Sequence, residues 1–116
     1  MIDAGMNDLM RPALYQARHR IVPVAIDDAA GIGSYRVVGP VCESSDDFGI
    51  HELPDVEAGL VALLDAGAYG YSMASRYNGR ALPAEVFVRG GKVALATARQ
   101  PAEDWIADRL RVAAVT

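Results

Sequence analysis

Apolar positions along the chain fall into short runs punctuated by glycine, proline and acidic residues, a pattern that predicts several short strands and little helix. Ile2–Met6 is too brief for a full strand, and Ala4-Gly5 already signals a turn. Over Asp8–Arg18, Leu9, Leu14 and Tyr15 give a brief amphipathic pattern in which Pro12 is tolerated only within a first helical turn. One or two helical turns are predicted there. Ile21–Ile26 is a β-branched run that Pro23 confines to a sheet edge or a bulge. The turn-rich Asp27–Ser34 follows, then a second strand over Tyr35–Val41, broken at Gly39-Pro40. Residues 43–57 show no period and contain Gly49 and Pro54, which predicts a loop. Leu60–Leu64 is a continuous apolar run bounded by Gly59 and Asp65; it suits a buried strand, although length alone does not separate strand from helix. Ala66–Asn78 is dense in Gly, Ala, Ser and Tyr, residues that let backbones or a ligand come close. Ala84–Val88 and Lys92–Ala96 flank Arg89-Gly90-Gly91 and read as a β-hairpin with a glycine turn. Pro101-Ala102-Glu103-Asp104 opens a C-terminal helix, with Trp105, Ile106 and Leu110 as its apolar stripe. The expected fold class is mainly β: a small Greek-key sandwich or barrel with one or two short helices.

A chain of 116 residues suits one domain, and a compact fold of this mass exposes roughly 6,100 Å² of the about 17,800 Å² open to water when unfolded. The formal charge is −4, the wrong sign for a protein that holds nucleic acid through its phosphates. That charge is uneven: residues 1–60 carry −6 and residues 61–116 carry +2. Much of the excess lies at Glu43, Asp46, Asp47, Glu52, Asp55 and Glu57, a stretch without Lys or Arg. No apolar stretch is long enough to span a membrane, and the N-terminus lacks the pattern of a secretory leader. With Cys42 as the one cysteine, a reducing, cytoplasmic setting is expected. His19 and His51 share no ligand-like spacing and Cys42 has no sulfur neighbour, so no metal site is expected.

Three polar segments are not explained by core packing: Arg11-Pro12-Ala13-Leu14-Tyr15, Gly39-Pro40-Val41-Cys42-Glu43-Ser44, and Asp65–Ser75. Each taken singly has an ordinary structural reading: a solvated arginine, a small buried thiol, aromatic cover for bare backbone. Taken together, with Asp3–Leu9, Tyr77-Asn78 and Pro83–Val86, they resemble the C-terminal domain of the diaminopimelate decarboxylase family. That family belongs to a pyridoxal-phosphate group that also includes ornithine and arginine decarboxylases. The resemblance covers Asp3–Val112, and Arg-Pro-Ala-Leu-Tyr with Cys-Glu-Ser favours the diaminopimelate branch.

The resemblance implies roles. In the family the cofactor forms a Schiff base with a lysine of an (α/β)8-barrel domain, and the substrate carbon that loses its carboxylate must be protonated. Cys42 matches the proton donor; a thiol, with an ordinary pKa of about 8.5, carries its proton at neutral pH. Arg11 and Glu43 match residues that hold the distal carboxylate and ammonium of the substrate. Tyr15 matches a further contact to the distal carboxylate, and Tyr69 matches a tyrosine that touches substrate and the cofactor phosphate. Ser45 stands where glycine is usual, Ile50-His51 replaces a more basic pair, and this segment is about one residue shorter than the family pattern.

A barrel domain with its lysine is not in this sequence. Lys92 is the one lysine and falls in the expected hairpin, where a solvated turn cation is its ordinary reading. The chain is therefore expected to be a single C-terminal β-domain over residues 1–116, a fragment or one half of a split enzyme, inactive alone. The resemblance further implies a homodimer in which the segment bearing Cys42 and Glu43 reaches into the neighbouring subunit's barrel. Loss of the barrel would leave an apolar face, so self-association is expected. Two other readings stay open: a stand-alone β-barrel that binds an amino acid or a protein partner, and a regulatory half acting in trans.

Overall fold

The structure, a computed structural model, describes residues 1–25, 31–55 and 59–113. Its elements in order are α1 (Arg11–Tyr15), β1 (Ile21–Pro23), β2 (Ile32–Val38), β3 (Asp47–Pro54), β4 (Val61–Leu63), α2 (Gly70–Met73), a 3-10 turn at Tyr77–Gly79, β5 (Glu85–Arg89), β6 (Lys92–Thr97) and α3 (Ala102–Ala113). The domain is mainly β with a few short helices, as expected. Its strands form three antiparallel pairs, β1–β4, β2–β3 and β5–β6, and no closed barrel is formed among the described residues. Three helices stand where one or two were expected, because α2 arises within the small-residue stretch without a capping side chain to announce it.

Pro12 lies in the first turn of α1, where its missing N–H leaves no bond unmade, and Gln16 ends the helix in a left-handed conformation at φ 55°. The β1–β4 pairing runs from Ile21 opposite Leu63 to Pro23 opposite Val61. Backbone bonds from Val24 to Leu60 and from Leu64 to Arg20 carry it one step further at each end. The expected strand at Ile21–Ile26 is met over its first half and that at Leu60–Leu64 over its middle, with Ile26 outside the described residues.

The expected loop over 43–57 is overturned for most of its length, because Asp47–Pro54 is strand β3, paired with β2 from Ile32 opposite Pro54 to Val38 opposite Asp47. A bulge between Val37 and Val38 lets Phe48 drop out of the ladder into the core, and Gly49 takes the left-handed φ of 91° beside it. That extra residue erases the alternation by which a strand is read from sequence. The same pairing makes strand of Ile32–Ser34, placed above in a turn; Asp27–Ala30 and Glu57 lie outside the described residues.

The core is small: Leu9, Ile21, Val37 and Phe48 are buried together, with Ile2, Leu53, Val61, Leu63 and Ala66 packed against them. The hairpin β5–β6 and helix α3 fall where the sequence placed them, yet pack little on this core. Val86, Phe87, Val88, Val93 and Leu95 of the hairpin are exposed, as are Ile106 and Leu110 of α3. The accessible surface is 8569 Å², well above the roughly 6,100 Å² of a compact chain of this mass. That expectation fails because the last third of the chain keeps its apolar side chains in water.

Candidate functional site on the β2–β3 loop and the helical turns

Cys42 and Glu43 lie in the connection between β2 and β3, and both are exposed. The loop is held from beneath by Asp46, which is 3% exposed. Its Oδ2 accepts the Val41 N–H at 2.7 Å, and its Oδ1 accepts the Met6 N–H at 2.7 Å. The Asp46 carbonyl accepts the Gly39 N–H at 3.0 Å, and its own N–H donates to the Glu43 carbonyl at 3.1 Å. A carboxylate accepting backbone N–H groups in a buried place makes charge-assisted bonds stronger than neutral ones. Gly39 is required at the clasp, since a Cβ there would collide with the Asp46 carboxylate. The sequence shows Asp46 only as one acid of the stretch 43–57, with the Gly39-Pro40 turn before it and the Gly5 turn far upstream as its only signals.

The clasped turn at the N-terminus is itself hydrogen-bonded. The Gly5 carbonyl accepts from Asp8 and Leu9 at 2.9 and 3.1 Å, and the Gly5 N–H donates to Asp8 Oδ2 at 2.9 Å. Asn7, with no exposed surface, accepts the Ser75 N–H at its backbone carbonyl, 2.8 Å away. One turn thereby joins the loop of Cys42 to the segment of Tyr69 and Tyr77.

The predicted site residues form two groups. In one, the Arg11 guanidinium lies 5.7 Å from the centroid of the Tyr69 ring, within cation–π range. Tyr69 precedes α2 with a left-handed φ of 64°, which projects its ring outward. Tyr15 is one helical turn beyond Arg11 on α1 and is exposed. In the other group, the Tyr77 hydroxyl donates to Glu43 Oε1, next to Cys42. Accepting that hydrogen bond, Glu43 holds the Tyr77 phenol above its ordinary value; repulsion from the same carboxylate, partial desolvation and the nearby Cys42 add to the shift. Tyr77 was not assigned a role from sequence, where Tyr77-Asn78 served only the resemblance. Among the described residues no hydrogen bond or ion pair links the two groups, and neither the cavity beside Arg18–Arg20 nor the one beside Arg76 and Arg99 is lined by Arg11, Tyr15, Cys42, Glu43, Tyr69 or Tyr77.

The arrangement is a sheet domain that presents a thiol, a carboxylate, a guanidinium and phenols outward from braced turns. The profile of the C-terminal sheet domain of pyridoxal-dependent decarboxylases matches residues 1–78, and the chain belongs to that family. It is 46% identical over 114 residues to the diaminopimelate decarboxylase of Zymomonas mobilis, a match covering 97% of this chain and 27% of that protein. It is likewise 46% identical over 111 residues to that of Neisseria meningitidis serogroup B, covering 95% of this chain and 27% of the relative. The crystal structure of the Helicobacter pylori diaminopimelate decarboxylase complexed with L-lysine superposes with a TM-score of 0.81 at 43% identity, over 92% of this chain and 27% of that one. The chain thus spans about a quarter of the length of the curated relatives it matches. None of the helices among the described residues is long and apolar enough to cross a membrane.

Proposed function

We propose that this chain acts as the C-terminal sheet domain of a cytoplasmic, pyridoxal-phosphate-dependent diaminopimelate decarboxylase, converting meso-2,6-diaminopimelate to L-lysine and carbon dioxide. The observation that carries the reading is the braced loop: Cys42 and Glu43 stand outward on a turn that Asp46 fixes from below, ready to meet a second wall. That wall is an (α/β)8-barrel domain with the cofactor lysine, contributed within a homodimer. The exposed apolar hairpin fits a domain whose partner surface lies elsewhere. The pairing of β1 with β4 across the β2–β3 hairpin fits a Greek-key barrel completed by further strands.

The residues present fit one edge of the cofactor. Tyr69 offers an exposed phenol whose hydroxyl can donate to a phosphate oxygen. Lys92 opens β6 in the exposed hairpin and is not suited to bind the cofactor aldehyde. Pyridoxal phosphate, when bound in the complete enzyme, supplies a sink for the electron pair left as carbon dioxide departs. Cys42 then holds at Sγ the proton that takes the place of the lost carboxylate. Arg11 binds the distal carboxylate, Tyr15 hydrogen-bonds it, and Glu43, positioned by Tyr77, accepts from the distal ammonium. A substrate lacking the distal group leaves these partners unpaired, which is the basis of selectivity. L-Lysine, present in the H. pylori crystal, keeps one amine for Glu43.

The test is a chimera in which this chain replaces the matching C-terminal segment of the Z. mobilis relative. Carbon dioxide release from diaminopimelate is expected, and Cys42→Ala should slow it by about 100-fold or more, within the range for a general acid, while cofactor absorbance is retained. A folded, cofactor-loaded chimera that releases no carbon dioxide, or one indifferent to Cys42→Ala, would overturn the reading. The chain by itself is expected to be inactive.

A further inference from the structure

Both histidines of the chain, 32 positions apart in sequence, line one cavity. The cavity, of about 480 Å³, lies between the segment leading into β1 and strand β3, and is lined by Arg18, His19, Arg20 and Phe48–His51. No acidic residue is in its lining, although it sits in the half of the chain that carries −6. His19 is 7% exposed, and its Nδ1–H donates to the Leu64 carbonyl at 3.0 Å. His51 uses its Nε2–H on the Phe48 carbonyl at 2.8 Å. A carbonyl accepts only, so each ring is fixed in orientation, leaving His19 Nε2 and His51 Nδ1 without a protein partner among the described residues. Arg18 has no ion-pair partner among the described residues, and Arg20 engages Asp65 only through Nε, at 3.4 Å, leaving both its Nη atoms unengaged.

We propose that this cavity binds a small multivalent oxyanion of the phosphate type. Two guanidinium groups supply fixed charge and planar donors matched to phosphate oxygens. Each imidazole leaves one ring nitrogen as an acceptor, which the O–H of a monoprotonated phosphate can meet. The charged groups around the rings favour an anion. Arg18 and Arg20 flank them; Asp65 is held on Arg20 from beyond β4; Arg36 of β2, one position away from the partner of His51, is already engaged by Asp47 at 2.6 Å. Glu52 follows His51 on β3 and therefore projects from the other face of the strand. Free phosphate and the phosphate of a small ester share this chemistry.

The test uses the full chain and its two imidazole signals in a proton NMR titration with phosphate near pH 6, where phosphate and its monoester retain an O–H to donate. Inorganic phosphate and glycerol phosphate are the probes, with sodium chloride holding ionic strength constant. His51→Gln assigns the signals. Both rings are expected to shift saturably with a common dissociation constant, and Arg18→Gln, a change at an exposed side chain, should raise that constant about tenfold, the scale of one charge-assisted contact. Tighter binding of the ester than of free phosphate would identify a phosphorylated metabolite as the ligand; the reverse would identify phosphate itself. Shifts that grow linearly with phosphate, that chloride reproduces, or that are unchanged in both Arg18→Gln and Arg20→Gln would overturn the site.

Discussion

Glu43 and Asp46 lie three residues apart in one acidic stretch and do opposite work. Asp46 is buried and spends both carboxylate oxygens on backbone N–H groups of the Met6 and Val41 segments. Asp46→Asn turns an amide donor toward at least one of those N–H groups and leaves it unsatisfied, a loss of about 1–3 kcal/mol. Urea unfolding should show the lowered midpoint, and a midpoint equal to the parent's would remove Asp46 from its role as clasp. Glu43 is exposed and meets Tyr77 instead. Since the Tyr77 phenol is raised, this contact contributes stability in full below the ordinary tyrosine value, about pH 10, and loses it as pH climbs through the higher folded value. In a tyrosinate absorbance titration, the step missing from Tyr77→Phe should lie above pH 10, and in Glu43→Gln it should move back toward pH 10. An unmoved step in Glu43→Gln would count against the pairing. At this scale Cys42, Glu43, Arg11 and Tyr69 are proposed from the short family-like blocks that carry them, whereas Asp46 and Tyr77 act through partners some 30 to 40 positions away, which a linear reading does not reveal.

At the level of elements, legibility followed how local the stabilising contacts are. The β5–β6 hairpin and α3 were placed nearly to the residue, since a glycine turn and a proline with two acids in a first turn are signals within a few positions. β3 was missed because its pairing with β2 passes through a bulge that sends Phe48 inward and because its acids, set at the ladder rather than in a loop, hide its apolar positions. Arg36 bonding Asp47 at 2.6 Å shows how one of those acids is accommodated on a strand. The bulge lies directly before the loop that carries Cys42.

On the scale of the molecule, the chain is extended, with a radius of gyration of 16.7 Å against about 13 Å for a compact chain of this length. The apolar ribbon of β5 and β6, unpaired on both edges, accounts for much of that excess and invites association. Light scattering of the isolated chain should give a mass rising above 12.3 kDa with concentration. A double change, Val88→Lys with Val93→Lys on facing strand positions, should return the mass toward the monomer. A constant monomer mass across the range for the parent chain would contradict this.

The single thiol and the single lysine side chain fall on different parts of this extended body, Cys42 on the clasped loop and Lys92 at the start of β6. A maleimide dye and an amine-reactive dye, the latter applied with the N-terminal amine blocked, would therefore give a doubly labelled molecule with no mutation at all. Energy transfer between the two dyes would then report the separation of the apolar ribbon from the loop of Cys42, with and without the proposed barrel domain.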